Sequence, residues 1–171
     1  ALSRSWETLD RNEYEKAVES LQRARAVYIF AHSINHSTAL DLSYNLMKLG
    51  FLSYVYSDSL MQVVASSIVD RRDVVIGISQ YGSNRDIMEA LSIAQQRQAT
   101  TIGLTTKKNS PIYQLAEISL STGSRDIVFH GEPLTSRMSL MYIVDILFLG
   151  VASKLGEQSM DTLKTVQKTL E

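Results

Sequence analysis

Short apolar runs and helical patterns take turns along this chain from end to end, and that alternation restricts the fold more than any other property of the sequence. Val27, Tyr28, Ile29, Phe30 and Ala31 form one apolar run, and Val74, Val75, Ile76 and Ile78 form another. Runs that stay apolar instead of alternating read as strands buried on both faces, as in a parallel sheet. Periodicity predicts strands over 27–31, 51–56, 74–79, 101–105 and 117–121. It predicts helices over 10–24, 37–48, 58–68, 83–98 and 111–115, with Gly50 as a helix stop and Pro111 behind Ser110 at a helix start. Strands separated by helices imply βαβ crossovers. The expected class is α/β, a three-layer α/β/α sandwich around a five-stranded, parallel, doubly wound sheet.

The 171 residues suit one domain, with a helix about 8–24, a sheet core about 26–122 and two C-terminal helices about 134–170. Residues 122–135 are the one long irregular stretch, a length often tied to function. The segment 134–152 is apolar nearly all round, from Met138 and Leu140 through Ile143, Val144, Ile146, Leu147 and Phe148 to Val151. A helix apolar all round is buried on every side, so one side is expected to meet another subunit. At fifteen residues, the run Met138 to Ala152 is shorter than the ~20 a membrane span requires, and it carries Asp145. No membrane partner is expected.

With no cysteine, disulfides, zinc–thiolate sites and cysteine nucleophiles are excluded, in keeping with a cytoplasmic protein. Seventeen Lys and Arg balance eighteen Asp and Glu without a basic run, so these residues are not expected to bind nucleic acid themselves.

Two junctions carry the chemistry. After Ile78 the chain breaks into Ser79, Gln80, Tyr81, Gly82, Ser83 and Asn84 before helical spacing resumes at Ile87, Ala90 and Leu91. Such a turn aims backbone N–H groups and a helix N-terminus at one point, which suits an anion. The simpler reading is an ordinary turn with Ser83 as N-cap. A second junction of the same kind, His32, Ser33, Ile34, Asn35, His36 and Ser37, follows the first strand. Two such turns on neighbouring parallel strands converge on one ligand at the switch point of strand order.

The run IF followed by a polar turn and ALDL, then VVIGIS-x-x-G, TIGLTT…SPIYQLAEISL and SRMSLMYIVDILFLGVA, resembles the sugar isomerase (SIS) domain. More narrowly it is similar to the C-terminal effector domain of RpiR-type transcription regulators, among them the HexR-like repressors of hexose catabolism. The resemblance implies a homodimer or homotetramer, a sugar phosphate at the strand ends, no cofactor and no metal. It also implies a DNA-binding domain upstream of Ala1, through which alone DNA would be a partner. The family's first turn, G-x-G-x-S, falls on Ala31, His32, Ser33, Ile34 and Asn35, so both glycines and the serine are replaced. Its second, S-x-S-G-x-T, falls on Ser79 to Asn84, where Tyr81 and Asn84 depart from it. A histidine that such regulators often carry two residues past an aspartate is here Leu60, after Asp58.

The expected ligand-binding residues are Ser33, Asn35, His36, Ser79, Tyr81, Gly82, Ser83 and Asn84, with Glu132, Ser136 and Arg137 from the region before the long helix. The Tyr81 ring is expected either to fill the phosphate pocket or to turn outward and stack on a sugar face. Arg85 is either an added anion contact or a plain surface arginine. The expected function is a non-catalytic metabolite sensor. The alternatives are a stand-alone phosphosugar isomerase, for which His130 beside Glu132 is the candidate acid/base pair, and a degenerate module that only dimerises.

Overall fold

The computed structural model describes residues 9–123, 128–129 and 132–170, with the backbone alone given for 128–129 and 132–135. The elements run α1 (Arg11–Arg23), β1 (Ala26–Ala31), α2 (Asn35–Lys48), β2 (Leu52–Tyr56), α3 (Ser59–Ile68), β3 (Val74–Ile78), α4 (Arg85–Gln96), β4 (Thr100–Thr105), α5 (Pro111–Leu115) and β5 (Ile118–Ser121). A two-residue pair, β6 (Val128–Phe129) with β7 (Glu132–Pro133), leads into α6 (Leu134–Leu155) and α7 (Glu157–Leu170). All five long strands are parallel, in the order β2-β1-β3-β4-β5. The expected α/β/α sandwich is therefore what the chain forms.

The pleat divides the apolar strands between two cores. Val27, Ile29, Val74, Ile76, Ile78, Ile102 and Leu104 face one side, where Leu21 of α1, Leu42 and Leu46 of α2, and Leu140, Val144 and Leu147 of α6 close over them. Phe30 and Val75 face the other, against Ala65 of α3, Ile87 and Leu91 of α4 and Ile112 of α5. Gly77 belongs to this second face, and a Cβ there would lie 2.6 Å from Ile87 Cγ2 and 2.9 Å from Leu91 Cδ1. Its missing side chain lets α4 settle directly on β3, which fixes where the first turn of α4 meets the strand end.

The long helix departs from expectation in two ways. It runs to Leu155, and Ser136–Leu155 is long and apolar enough, by length and composition alone, to cross a membrane. Its inner residues instead pack into the sheet core, and Tyr14 of α1 donates its hydroxyl to the Ile146 carbonyl at 2.7 Å. Met138, Asp145 and Leu149 on its outer side are exposed in the single chain. Burial first, then nearby Asp41, raises the Asp145 carboxyl above its ordinary value, with Lys48 opposing.

Opposite the strand ends that carry the polar turns, a charged clasp joins the entrances of β1 and β3. Arg25, immediately before β1, meets Asp73, immediately before β3, through two guanidinium contacts, Nε to Oδ1 at 2.9 Å and Nη2 to Oδ2. The Arg25 N–H also donates to the Arg72 carbonyl. Asp73 is fully buried at its side chain and accepts the Asp70 N–H as well. Nearby, the side-chain hydrogen bond from Arg72 holds the Asp70 carboxyl well below the usual carboxylate range. That contribution is present above about pH 4 and lost as the pH falls further. Removing the buried partner leaves the half-exposed arginine with Asp70, 3.4 Å away, and strands the Asp70 amide, so Asp73→Ala is expected to cost about 2 kcal/mol, read as a lower midpoint in urea unfolding.

Candidate functional site

Strand order reverses between β1 and β3, and the turns that leave them enclose a cleft of about 290 Å³. One wall is His32, Ser33, Ile34 and Asn35; the other is Ile78, Ser79, Gln80, Tyr81, Ser83, Asn84 and Ile87. Of the expected residues, the structure brings Ser33, Asn35, Ser79, Tyr81, Ser83 and Asn84 together here.

The second turn is built from its own hydrogen bonds. Gly82 turns back with a φ of +66° and donates its N–H to the Ser79 carbonyl at 3.0 Å and to Ser79 Oγ at 3.2 Å. Acting as acceptor, the buried Ser79 hydroxyl keeps its own proton uncommitted. Thr105 and Thr106, at the end of β4, both donate their hydroxyls to the Gln80 carbonyl, at 3.1 and 2.7 Å, and the Thr106 N–H joins them at 3.0 Å. The Gly82 carbonyl accepts from Ile112 of α5. The neighbouring strand and helix thus hold the turn rigid.

The helix cap corrects the sequence reading. Asn84, not Ser83, is the N-cap of α4, its Oδ1 accepting the Ile87 N–H at 3.0 Å, while Ser83 is exposed. The cap leaves the Asn84 amide nitrogen free to donate into the cleft. Tyr81 is 52% exposed and stands at the cleft wall, the outward of the two placements open to it. Arg85 is an exposed residue outside the lining. Gly82 shapes the turn without lining the cleft, and His36 lies one residue beyond the lining.

In the first turn of α6, Ser136 is fully buried and Arg137 exposed, and neither lines the cleft. Only the backbone of Glu132 is described, in its pairing with Phe129, and His130 lies outside the described residues. Asp58, where the family motif had drawn attention, is the N-cap of α3 through the Met61 N–H. Leu60 beyond it is exposed.

Two contributors were not anticipated. His32 Nε2 lies 3.2 Å from Gln62 Oε1, across from α3, and the Gln62 amide nitrogen donates to the Tyr56 carbonyl at 2.9 Å. Nothing in the spacing of residues 32 and 62 announces that pair. The other is Gln80, buried against the cleft with its Nε2 lacking a partner. His36 Nδ1, Thr38 Oγ1 and Ser136 Oγ are likewise buried and partnerless, in the first turns of α2 and α6. Buried polar groups are normally paired, so their clustering around two helix starts marks a region with hydrogen-bonding capacity to spare. Among the described residues the cleft lining contains no carboxylate, lysine or arginine, and no group of three His, Asp or Glu is placed to hold a metal. Chemically, the site offers hydroxyl, amide and backbone donors, one imidazole and one phenol ring.

Comparison with known proteins adds the following. The SIS domain family matches residues 20–149. An uncharacterized HTH-type transcriptional regulator of Caldanaerobacter subterraneus is 29% identical over 163 residues, which cover 95% of this chain and 57% of the regulator. One from Haemophilus influenzae is 26% identical over 162 residues, 95% and 55% of the two. The chain thus spans little more than half the length of these relatives. The NanR protein of Vibrio vulnificus, solved with ManNAc-6P, superposes with a TM-score of 0.92 at 18% identity, covering 99% of this chain and 64% of that one. The sugar isomerase domain of an RpiR transcription factor from Sphaerobacter thermophilus gives 0.87 at 23% identity, covering 98% and 92%. A Methanococcus jannaschii protein, from whose structure a 3-hexulose-6-phosphate isomerase function was inferred, gives 0.73 at 15%, covering 87% and 82%.

Gly82 gives the geometry its sharpest test. A Cβ there would sit 2.0 Å from Ser110 Oγ and 3.0 Å from Thr105 Oγ1, on a backbone conformation that side chains disfavour. Gly82→Ala should therefore destabilise the domain by about 2–4 kcal/mol, seen as a lower thermal midpoint.

Proposed function

The chain belongs to the SIS domain family, and from that premise we propose that it is the ligand-sensing effector domain of an RpiR-type transcription regulator, cytoplasmic and self-associating. In this reading a sugar phosphate or related carbohydrate metabolite binds between the β1–α2 and β3–α4 turns. Binding then alters the geometry of the dimer and, through it, a DNA-binding domain in a longer protein. The single observation that carries the proposal is the switch-point cleft, with the Ser79 hydroxyl, the Asn84 amide and the start of α4 gathered on one side. Donors of this kind, without opposing carboxylates, suit the phosphate end of a sugar phosphate. The names of the two HTH-type relatives and of the NanR complex support the regulatory context.

Isomerisation is the second reading, and the isomerase-like neighbour keeps it in play. Moving a proton between sugar C1 and C2 needs a base within hydrogen-bond reach. Among the described lining residues only His32 has that chemistry, and it has no carboxylate beside it in the lining. A sensor needs only the binding.

Self-association is supported by an apolar belt around the β2 edge. Leu40, Tyr44 and Met47 of α2, Leu52 and Tyr54 of β2, and Leu60, Met61, Val64 and Ile68 of α3 are all exposed. Nine large apolar side chains, each roughly half exposed, present several hundred Å², more than an isolated monomer normally shows in one patch. This belt, more than the outer face of α6, is where a second copy fits.

In calorimetric titration, ManNAc-6P, glucose 6-phosphate or fructose 6-phosphate is expected to bind while the corresponding neutral sugars do not. Ser79→Ala should weaken that binding by about 1–2 kcal/mol, as for one hydrogen bond to a charged group. NMR of the incubated sugar should show no isomer formed; turnover would move the assignment to the isomerase reading. Sedimentation equilibrium should give a dimer or larger for the wild type and a smaller species for Leu60→Glu with Val64→Glu. A wild-type monomer would remove self-association from the proposal.

A further inference from the structure

A phosphate monoester carries close to two negative charges at neutral pH, yet among the described residues the cleft lining holds no lysine or arginine. His32 is the one described lining residue able to become a cation, and its hydrogen bonds settle how. The Tyr56 carbonyl can only accept, so the Gln62 group facing it is the NH₂ end, 2.9 Å away. That turns Gln62 Oε1 towards His32, 3.2 Å from Nε2, and an amide oxygen can only accept. His32 Nε2 therefore carries a hydrogen, and the second proton of the imidazole has one place to go, Nδ1, which has no partner among the described residues.

Resting on the functional reading above, we propose that His32 is the proton-linked anion-binding residue of this site. The neutral ring accepts a proton at Nδ1 when a phosphate arrives, and the resulting imidazolium supplies the positive charge that the lining otherwise lacks. Gln62 is the positioning residue, since its amide, oriented by Tyr56, fixes the hydrogen at Nε2. Each ring that becomes cationic takes one proton from solvent onto Nδ1, with no covalent bond to the ligand made or broken.

The neighbouring charged groups leave this role to His32. Asp58 caps α3, and Asp86 accepts from Ser59 Oγ at 2.6 Å, so both carboxylates at the adjoining helix starts are engaged and exposed. Arg85, on the first turn of α4, is exposed and outside the lining. His36 is one residue beyond the lining, with its own Nδ1 buried. Tyr56 contributes its backbone carbonyl to the network, and the half-exposed Tyr81 is a phenol with no positive form.

Histidine side chains ordinarily change charge between about pH 5 and 8, so binding that recruits the charge takes up protons in that range. Calorimetry of ManNAc-6P, glucose 6-phosphate and inorganic phosphate at pH 7.5, in buffers of different ionisation enthalpy, counts them. Wild type should take up a measurable fraction of a proton per bound sugar phosphate. His32→Gln, which keeps a neutral donor, should show only the proton change of the phosphate itself. The same linkage makes the wild type bind more tightly at pH 6.5 than at pH 8.0, once the phosphate's own titration is subtracted, and leaves His32→Gln flat. Gln62→Leu should lower affinity and shift this pH profile without unfolding the domain.

Binding with no proton uptake overturns the inference while leaving the functional reading standing. No binding by any probe at any pH overturns both. Independently of any ligand, ¹⁵N correlation spectra of the histidine rings at pH 8 should show His32 protonated at Nε2 alone. A ring protonated at Nδ1 would remove the premise.

Discussion

Val27 pairs with Val74 and Ala31 with Ile78, and this ladder between β1 and β3 is the constraint from which the rest of the molecule follows. The chain leaves β1 for β2 on one side and later resumes from β3 towards β4 on the other. Right-handed crossovers then send α2 over one face of the sheet and α4 over the opposite face. Two helices that part in this way cannot close over the strand ends between them, so a crevice opens there by topology alone. Gly77 seats α4 low enough for its first turn to border that crevice, and the Arg25–Asp73 clasp secures the same two strands at their entrances. The site and the clasp sit at opposite ends of one ladder.

Much of this was legible in the residues. Uninterrupted apolar runs separated by helical spacing can hardly be anything but a parallel sheet covered on both faces, and the polar interruptions after Ala31 and Ile78 showed where the strands stop. Finer features were hidden because they depend on contacts distant in sequence. Ser83 and Asn84 are both good cap residues, and only the backbone path decides that Asn84 takes the Ile87 amide. The direction of the Tyr81 ring follows from the reverse turn at Gly82 and from the threonines bracing Gln80, none of which spacing encodes. The pairing of His32 with Gln62 spans 30 residues and two elements. The all-round apolar character of α6 was read correctly as composition. Burial, however, depends on which neighbours exist, and α1, α2 and the sheet cover only its inner side.

The described lining of the cleft carries no fixed charge. Fixed cations bind phosphate at any pH near neutrality, but they also attract any other anion. A lining of neutral donors is more selective, because each donor must be met in direction as well as charge, and its total positive field is weak. The hydroxyls of Thr105 and Thr106 hold the Gln80 carbonyl in place, while Ser79 Oγ accepts the Gly82 N–H and keeps its own proton uncommitted. Stiffness of this kind lets a small set of weak donors act together, since little ordering remains to be done when the ligand enters.

The edge strand β2 has a consequence of another kind. Its sequence, Leu-Ser-Tyr-Val-Tyr, contains no charge and no proline, and among the described residues one side of its backbone has no neighbouring strand. Proteins ordinarily guard such margins with lysine, proline or a bulge, because an open row of amides and carbonyls is a template for any passing strand. Here the guard is absent, and the flanking helices add grease instead of charge. Concentrated preparations in which this margin lies bare are thus at risk of runaway strand addition into aggregates. Whatever covers β2 in the working protein also acts as its protection against that fate.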